Sequence, residues 1–286
     1  MDARIILELD KVRKSYGACL AVDDLDLQIP QGEIFGLLGP NGAGKTTTIH
    51  LIAGLLKPDG GAIRIGGSGE PSDPAVRVRL GIAPQMLSHY EFLSARENIG
   101  FFGRLYGLRG KKLNERIADA LAFVGLESQK RQAVRTFSGG MKRRLNLAIA
   151  VVHDPEIILL DEPTAGVDPQ SRNAIYENIL ALKQQGRTLI YTTHYMEEAQ
   201  RLCDRVGILD HGRLLALDTV NGLIQNHAGA PTLIVCRGDQ EIRMRTPDPL
   251  AVLNELAREA PVDQFRLEQA TLEQVFLHLT GRTLRD

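Results

Sequence analysis

The sequence has little of what membrane spans, disulfide frameworks or nucleic-acid surfaces demand. No apolar run approaches the ~18 residues of a membrane-spanning helix, and the start, Met1-Asp2-Ala3-Arg4, lacks the charged-then-apolar order of a secretion signal. Work at a membrane would therefore require docking to another chain. Three cysteines, Cys19, Cys203 and Cys236, stand far apart, which excludes paired zinc-ligand spacing and fits a reducing compartment. Charge of neither sign dominates: Lys+Arg number 34 and Asp+Glu 35, for a net charge of -1, so no domain-wide basic excess answers a polyphosphate backbone. Nucleic acid is not an expected partner. The basic runs at 109–112 and 142–144 read as solvated helix ends.

What is present is an ordinary hydrophobic share, 43% of 286 residues, enough for one large α/β domain and a small second one. One stretch has fixed spacing. Gly39-Pro40-Asn41-Gly42-Ala43-Gly44-Lys45-Thr46, followed by Thr47, carries two glycines, a lysine and a hydroxyl in the phosphate-loop pattern. The apolar run Ile34 to Leu38 before it reads as a buried strand, and Thr47 to Leu55 after it has helical spacing. Glycines at 42 and 44 let backbone N–H groups turn onto phosphate oxygens, and the helix offers its positive end. Lys45 adds charge for the outer phosphates of a nucleoside triphosphate, and Thr46 a hydroxyl for Mg²⁺.

Around this loop, residues 4–14 and 20–29 alternate apolar and polar as strands with one buried face, continued by Ile63 and Ile65, which predicts an N-terminal antiparallel β subdomain. Helical periodicity marks an insertion over about 95–153, within which Ser138 is an N-cap. Strand runs at 157–160, 188–193 and 206–209 alternate with helices at 170–184 and 195–203, the pattern of a parallel sheet flanked by helices. The expected fold is α/β, a P-loop NTPase core over 4–220. Residues 221–231, with Gly222, Gly229 and Pro231, read as a linker, and 232–286 as a small α+β domain with a hairpin about Gly238-Asp239.

The apolar run Ile157 to Leu160 ends in Asp161-Glu162, two carboxylates at the strand end where open α/β sheets bind ligands. Asp161 can hold Mg²⁺ through water, and Glu162 can polarise an attacking water as general base.

Together with four further motifs, these residues resemble the ATP-binding subunits of ABC transporters. Phe137-Ser138-Gly139-Gly140-Met141 looks like the family signature, Gln85 stands at the Q-loop glutamine, Ala165-Gly166-Val167-Asp168 resembles the D-loop, His194 matches the switch histidine, and Tyr16 the adenine-stacking aromatic. The resemblance covers residues 4 to about 220. Within the family, the runs 137–144 and 193–199 and the tail 271–282 look most like the branch of daunorubicin-type drug and nodulation-factor exporters. It implies ATP and Mg²⁺ as ligands, with Gln85 beside the metal and γ-phosphate. It also implies Asp168 at the nucleotide, a head-to-tail dimer of two copies of the subunit in which Ser138, Gly139 and Gly140 face the nucleotide held by the other copy, and a separate transmembrane permease. Met141 departs from the commoner glutamine and reads as a packing residue. Whether His194 shuttles a proton or only donates a hydrogen bond stays open.

Two rival readings remain: a soluble ABC-type ATPase of DNA repair or translation, against which the short insertion and single cassette argue, and a scaffold that binds ATP without turnover, against which Glu162 argues. Aromatics, 5% of the chain with no tryptophan, gather after Gln85 at Tyr90, Phe92, Phe101, Phe102 and Tyr106. They read either as core or as the surface that the resemblance places against the permease.

Overall fold

The computed structural model describes residues 4–238, 240–268 and 271–281. Met1 to Ala3, Asp239 of the expected hairpin turn, and Arg282 to Asp286 of the expected C-terminal domain and tail lie outside the described residues. Contacts divide the chain into two compact units between Leu215 and Ala216.

The first unit opens with two long strands, β1 (Ile5–Tyr16) and β2 (Cys19–Pro30), then β3 (Ile34–Leu38), α1 (Lys45–Ile52), β4 (Gly60–Ile65), α2 (Pro74–Arg77) and β5 (Leu80–Ala83). Three helices follow, α3 (Ala95–Leu105), α4 (Gly110–Phe123) and α5 (Gly139–Val151). The chain then alternates β6 (Ile157–Asp161), α6 (Pro169–Gln184), β7 (Thr188–Thr193), α7 (Met196–Leu202), β8 (Arg205–Asp210) and β9 (Arg213–Thr219), within which the boundary falls. The main sheet has the order β5-β6-β7-β3-β8-β9, and the pairs from β5 to β8 are parallel. Every residue of β3, β6 and β7 is buried, as expected for parallel strands covered on both faces. The antiparallel sheet β2-β1-β4 buries alternate residues such as Leu7, Leu9, Leu25 and Leu27.

These elements match the α/β fold expected, with α2 and β9 added, and with them β5. At four residues, Leu-Gly-Ile-Ala, that strand is too short to show a period. Pairing with β6 defines it.

The second unit contains α8 (Val220–His227), the sheet β11-β10-β12 formed by β10 (Thr232–Arg237), β11 (Gln240–Arg245) and β12 (Gln264–Glu268), and the helices α9 (Pro249–Glu259) and α10 (Leu272–Thr280). The linker expected over 221–231 is largely helix. Thr219 caps α8 by accepting from Gly222 N at 3.0 Å, and Val220 and Leu223 are buried, so packing outweighs the cost of glycine in the first turn. Leu233, Ile234 and Val235 of β10 and Leu272, Val275 and Phe276 of α10 are also buried.

Candidate nucleotide site

The carboxyl ends of β3, β6 and β7 bring the site together. After β3, the chain turns at Gly39 to Gly44 into α1. Gly44 has φ 105, and a Cβ there would meet Ala21 O at 2.3 Å, so only glycine fits this turn into the helix. Asn41, Gly42 and Thr46 are exposed, Pro40 and Thr47 half-buried, and Ala43 and Lys45 buried. Lys45 Nζ donates to Gly39 O at 2.8 Å and Pro40 O at 3.0 Å and stands 3.7 Å from Glu162 Oε1. Burial lowers the Lys45 pKa, against the pull of Glu162 and Asp161 in the other direction.

Thr46 Oγ1 donates to Asp161 Oδ2 at 3.0 Å, and Thr192 Oγ1 to Asp161 Oδ1 at 2.6 Å. Hard cations such as Mg²⁺ take oxygen ligands and need few from the protein when phosphates and water supply the rest. A hydroxyl and a carboxylate side by side beneath the loop fit that demand. No group of three His, Cys, Asp or Glu side chains that could hold a metal occurs among the described residues.

Glu162 is 8% exposed and carries a left-handed φ of 46°. Its backbone N–H donates to Thr192 Oγ1 at 3.1 Å. Its carboxylate gathers the remaining residues: Gln85 Nε2 donates to Oε2 at 3.0 Å, and His194 Nδ1 lies 3.1 Å from Oε1. Water attacking a phosphate on the loop would meet this carboxylate between an amide and an imidazole.

The structure thus brings Lys45, Thr46, Gln85, Asp161, Glu162 and His194 together beside the loop at 39–44 and Thr47, and leaves Tyr16, Ser138, Gly139, Gly140 and Asp168 without a hydrogen bond or ion pair to that cluster. Tyr16 ends β1 and is exposed. Ser138 caps α5, accepting from Met141 N at 3.2 Å, and Asp168 caps α6, accepting from Ser171 N at 2.9 Å, a bond that lowers its pKa. Gly140 packs against α6, where a Cβ would fall 2.0 Å from Ser171 Oγ. Gly139 is exposed, and a Cβ there would meet nothing nearer than Gly166 O at 3.9 Å. Met141 is half-buried.

Arg143 departs from the expectation for its basic run. Far from a solvated helix end, it donates to Gln85 O at 2.6 Å and Ala165 O at 3.3 Å, tying α5 to both loops beside the site. Its neighbours are engaged as well, Arg144 with Val124 O and Lys142 with Glu91. Acceptors supplied by distant backbone carbonyls leave no trace in local sequence. Thr192 was missed as a ligand of Asp161, although the strict alternation of β7 could have pointed its hydroxyl there.

Comparison with known proteins agrees with this geometry. The ABC transporter family profile matches residues 22–165. The chain is 39% identical to the linearmycin resistance ATP-binding protein of Bacillus subtilis (strain 168), covering 98% of this chain and 100% of that one. It is 41% identical to a Nod factor export ATP-binding protein of Cupriavidus pinatubonensis (98% and 92%), and 38% identical to the daunorubicin/doxorubicin resistance ATP-binding protein of Streptomyces peucetius (98% and 94%). A solved ATP-binding subunit of an ABC transporter superposes with a TM-score of 0.69 at 31% identity, over 76% of this chain and 91% of that one. Phosphate loop, acid pair and sequence kinship converge, and the chain belongs to the ABC transporter family as an ATP-binding, ATPase subunit.

Proposed function

We propose that this subunit hydrolyses MgATP to drive export of a substrate through a separate transmembrane permease, and that two copies close head to tail around the nucleotides. The observation that carries the reading is the placement of Gln85 and His194 on the two oxygens of Glu162, with Lys45 on its phosphate side. Glu162 would take the proton of the attacking water, His194 and Gln85 would hold its carboxylate and sense the γ-phosphate, and Thr46 with Asp161 would hold Mg²⁺, which supplies charge neutralisation on the phosphates. Ser138, Gly139 and Gly140 would serve the partner copy's nucleotide with a helix N-terminus. The printed names of the relatives, resistance and export ATP-binding proteins, support the direction of transport for this chain.

No helix among the described residues is long and apolar enough to cross a membrane, so the reading needs a docking surface. The segment after Gln85 supplies a rigid one. Buried Asn98 accepts from Tyr90 N at 2.7 Å and donates to Tyr90 O at 3.0 Å and Ser94 O at 3.0 Å, pinning the loop. Tyr90 packs edge-on against Phe101, which is half-buried, while Phe92 is 83% and Met86 84% exposed. Changing Tyr90 and Phe92 together to serine should leave ATP binding intact and abolish co-purification with the permease in mild detergent. Unchanged capture would place the docking surface elsewhere. ATP added to Glu162→Gln should trap a dimer, read by light scattering, and a monomer at saturating ATP would overturn the closure step.

A further inference from the structure

Behind the site, on the face of β7 opposite Asp161, lies a buried carboxylate that the proposed chemistry does not use. Glu198 of α7 is 2% exposed. Its oxygens accept from hydroxyls two by two: Thr164 at 2.7 Å and Tyr176 at 3.0 Å on Oε1, Tyr191 at 2.7 Å and Thr193 at 2.8 Å on Oε2. A carboxylate has about four lone-pair sites, and all of them are occupied here. The nearest cation is Arg172 of α6, its Nε 3.9 Å from Oε1. Burying a charge is costly unless it is held in this way, so the arrangement resists any rotation of its members.

What the donors are attached to gives the cluster its meaning. Thr164 stands two residues after Glu162 and immediately before Ala165 to Asp168, which pack beside the signature glycines. Thr193 is the neighbour of His194, and its Oγ1 also accepts from Tyr195 N at 2.9 Å, fixing the turn on which the imidazole sits. Arg172 stacks over the Tyr195 ring at 5.8 Å, and that ring packs on His194 with centroids 4.1 Å apart. Alternation along β7 completes the link, because Tyr191 and Thr193 face Glu198 while Thr192 faces Asp161 and the Glu162 amide. Burial and the adjacent Glu198 charge raise the Tyr191 pKa, keeping its hydroxyl a donor.

We propose that Glu198 is a positioning residue for hydrolysis, clamping the loop after Glu162 to the turn that carries His194, so that base, histidine and the Ala165 to Asp168 segment move as one piece. The clamp rests on the roles proposed above for Glu162 and His194. It would make turnover, and not nucleotide affinity, depend on a group that touches neither ATP nor water.

The test uses the full chain, with phosphate release and equilibrium ATP binding measured on each variant. Glu198→Gln replaces one acceptor oxygen with a donor, so two of the four hydroxyls lose their partner; kcat should fall about 10- to 100-fold, the scale of a misplaced reacting group, with the ATP Kd within about twofold. Thr193→Val should lower kcat likewise, while Thr193→Ser, which keeps the hydroxyl, should restore it. If Glu198→Gln does not fold, the Val and Ser pair at 193 decides alone. Near-normal kcat with a lowered melting temperature would make Glu198 a stabiliser of the fold only and overturn the proposal, as would parallel losses of kcat and ATP affinity. The readings fail separately: near-normal hydrolysis by Glu162→Gln removes the base assignment, whereas near-normal kcat in Glu198→Gln or Thr193→Val removes the clamp.

Discussion

The phosphate side and the signature side of this cassette are built in opposite ways. Around the loop, Lys45, Asp161 and Glu162 are 5%, 2% and 8% exposed, and each is engaged by side chains or carbonyls from other elements. At α5, Ser138 and Gly139 are exposed, and the Ser138 hydroxyl accepts only from its own helix. The proposed base and metal ligands are organised within one chain, whereas the helix end at the signature has, among the described residues, no side-chain partner beyond its own Ser138 cap. That asymmetry is what a composite site would require, and each half can be broken without the other.

The largest effect should come from the organised half. Glu162→Gln keeps the cradle, Thr46 and Asp161 but removes the proposed base, and phosphate release should fall roughly 10²- to 10⁴-fold at unchanged ATP binding. Retained hydrolysis would move the base elsewhere. Next is Lys45→Ala, which deletes charge-assisted bonds of about 1.5–3 kcal/mol, on the order of 10- to 150-fold in ATP affinity, and should leave adenosine binding unchanged in a titration. Equal losses for both ligands would make Lys45 a support of the loop. The smallest effect sharpens the contrast most. Gly139→Ala adds a methyl group that meets only Gly166 O at 3.9 Å within the chain, so monomer stability and ATP affinity should hold. Turnover should drop about tenfold, equivalent to about 1.4 kcal/mol, because in the proposed dimer the methyl group would face the second copy. A loss of monomer stability instead would show that the signature turn is already filled from within.

How far the sequence disclosed this site depended on the range of each interaction. The phosphate loop and the acid pair were legible because their geometry is local: a few fixed residues and two flanking runs force strand, turn and helix. The Ser138 cap was legible for the same reason. Arg143 was read as a solvated helix end because its acceptors are carbonyls 58 and 22 residues away. Glu198 sits in an acidic run next to exposed Glu197, and only the folded sheet shows that one of the pair points inward to four hydroxyls. Gly222, Gly229 and Pro231 point to a linker where α8 forms, because burial of Val220 and Leu223 is not visible locally and decides the outcome.

The left-handed backbone at Glu162 sets local strain against the contacts of its side chain. A side chain at φ 46° carries strain on the order of 1 kcal/mol that glycine would not. On backbone strain alone, glycine would suit this position better than glutamate. Losing the carboxylate would relieve that strain but strip Gln85, His194 and the buried Lys45 of the acceptor they share, so glycine here should cost the fold more in unpaired polar groups than it returns in backbone ease.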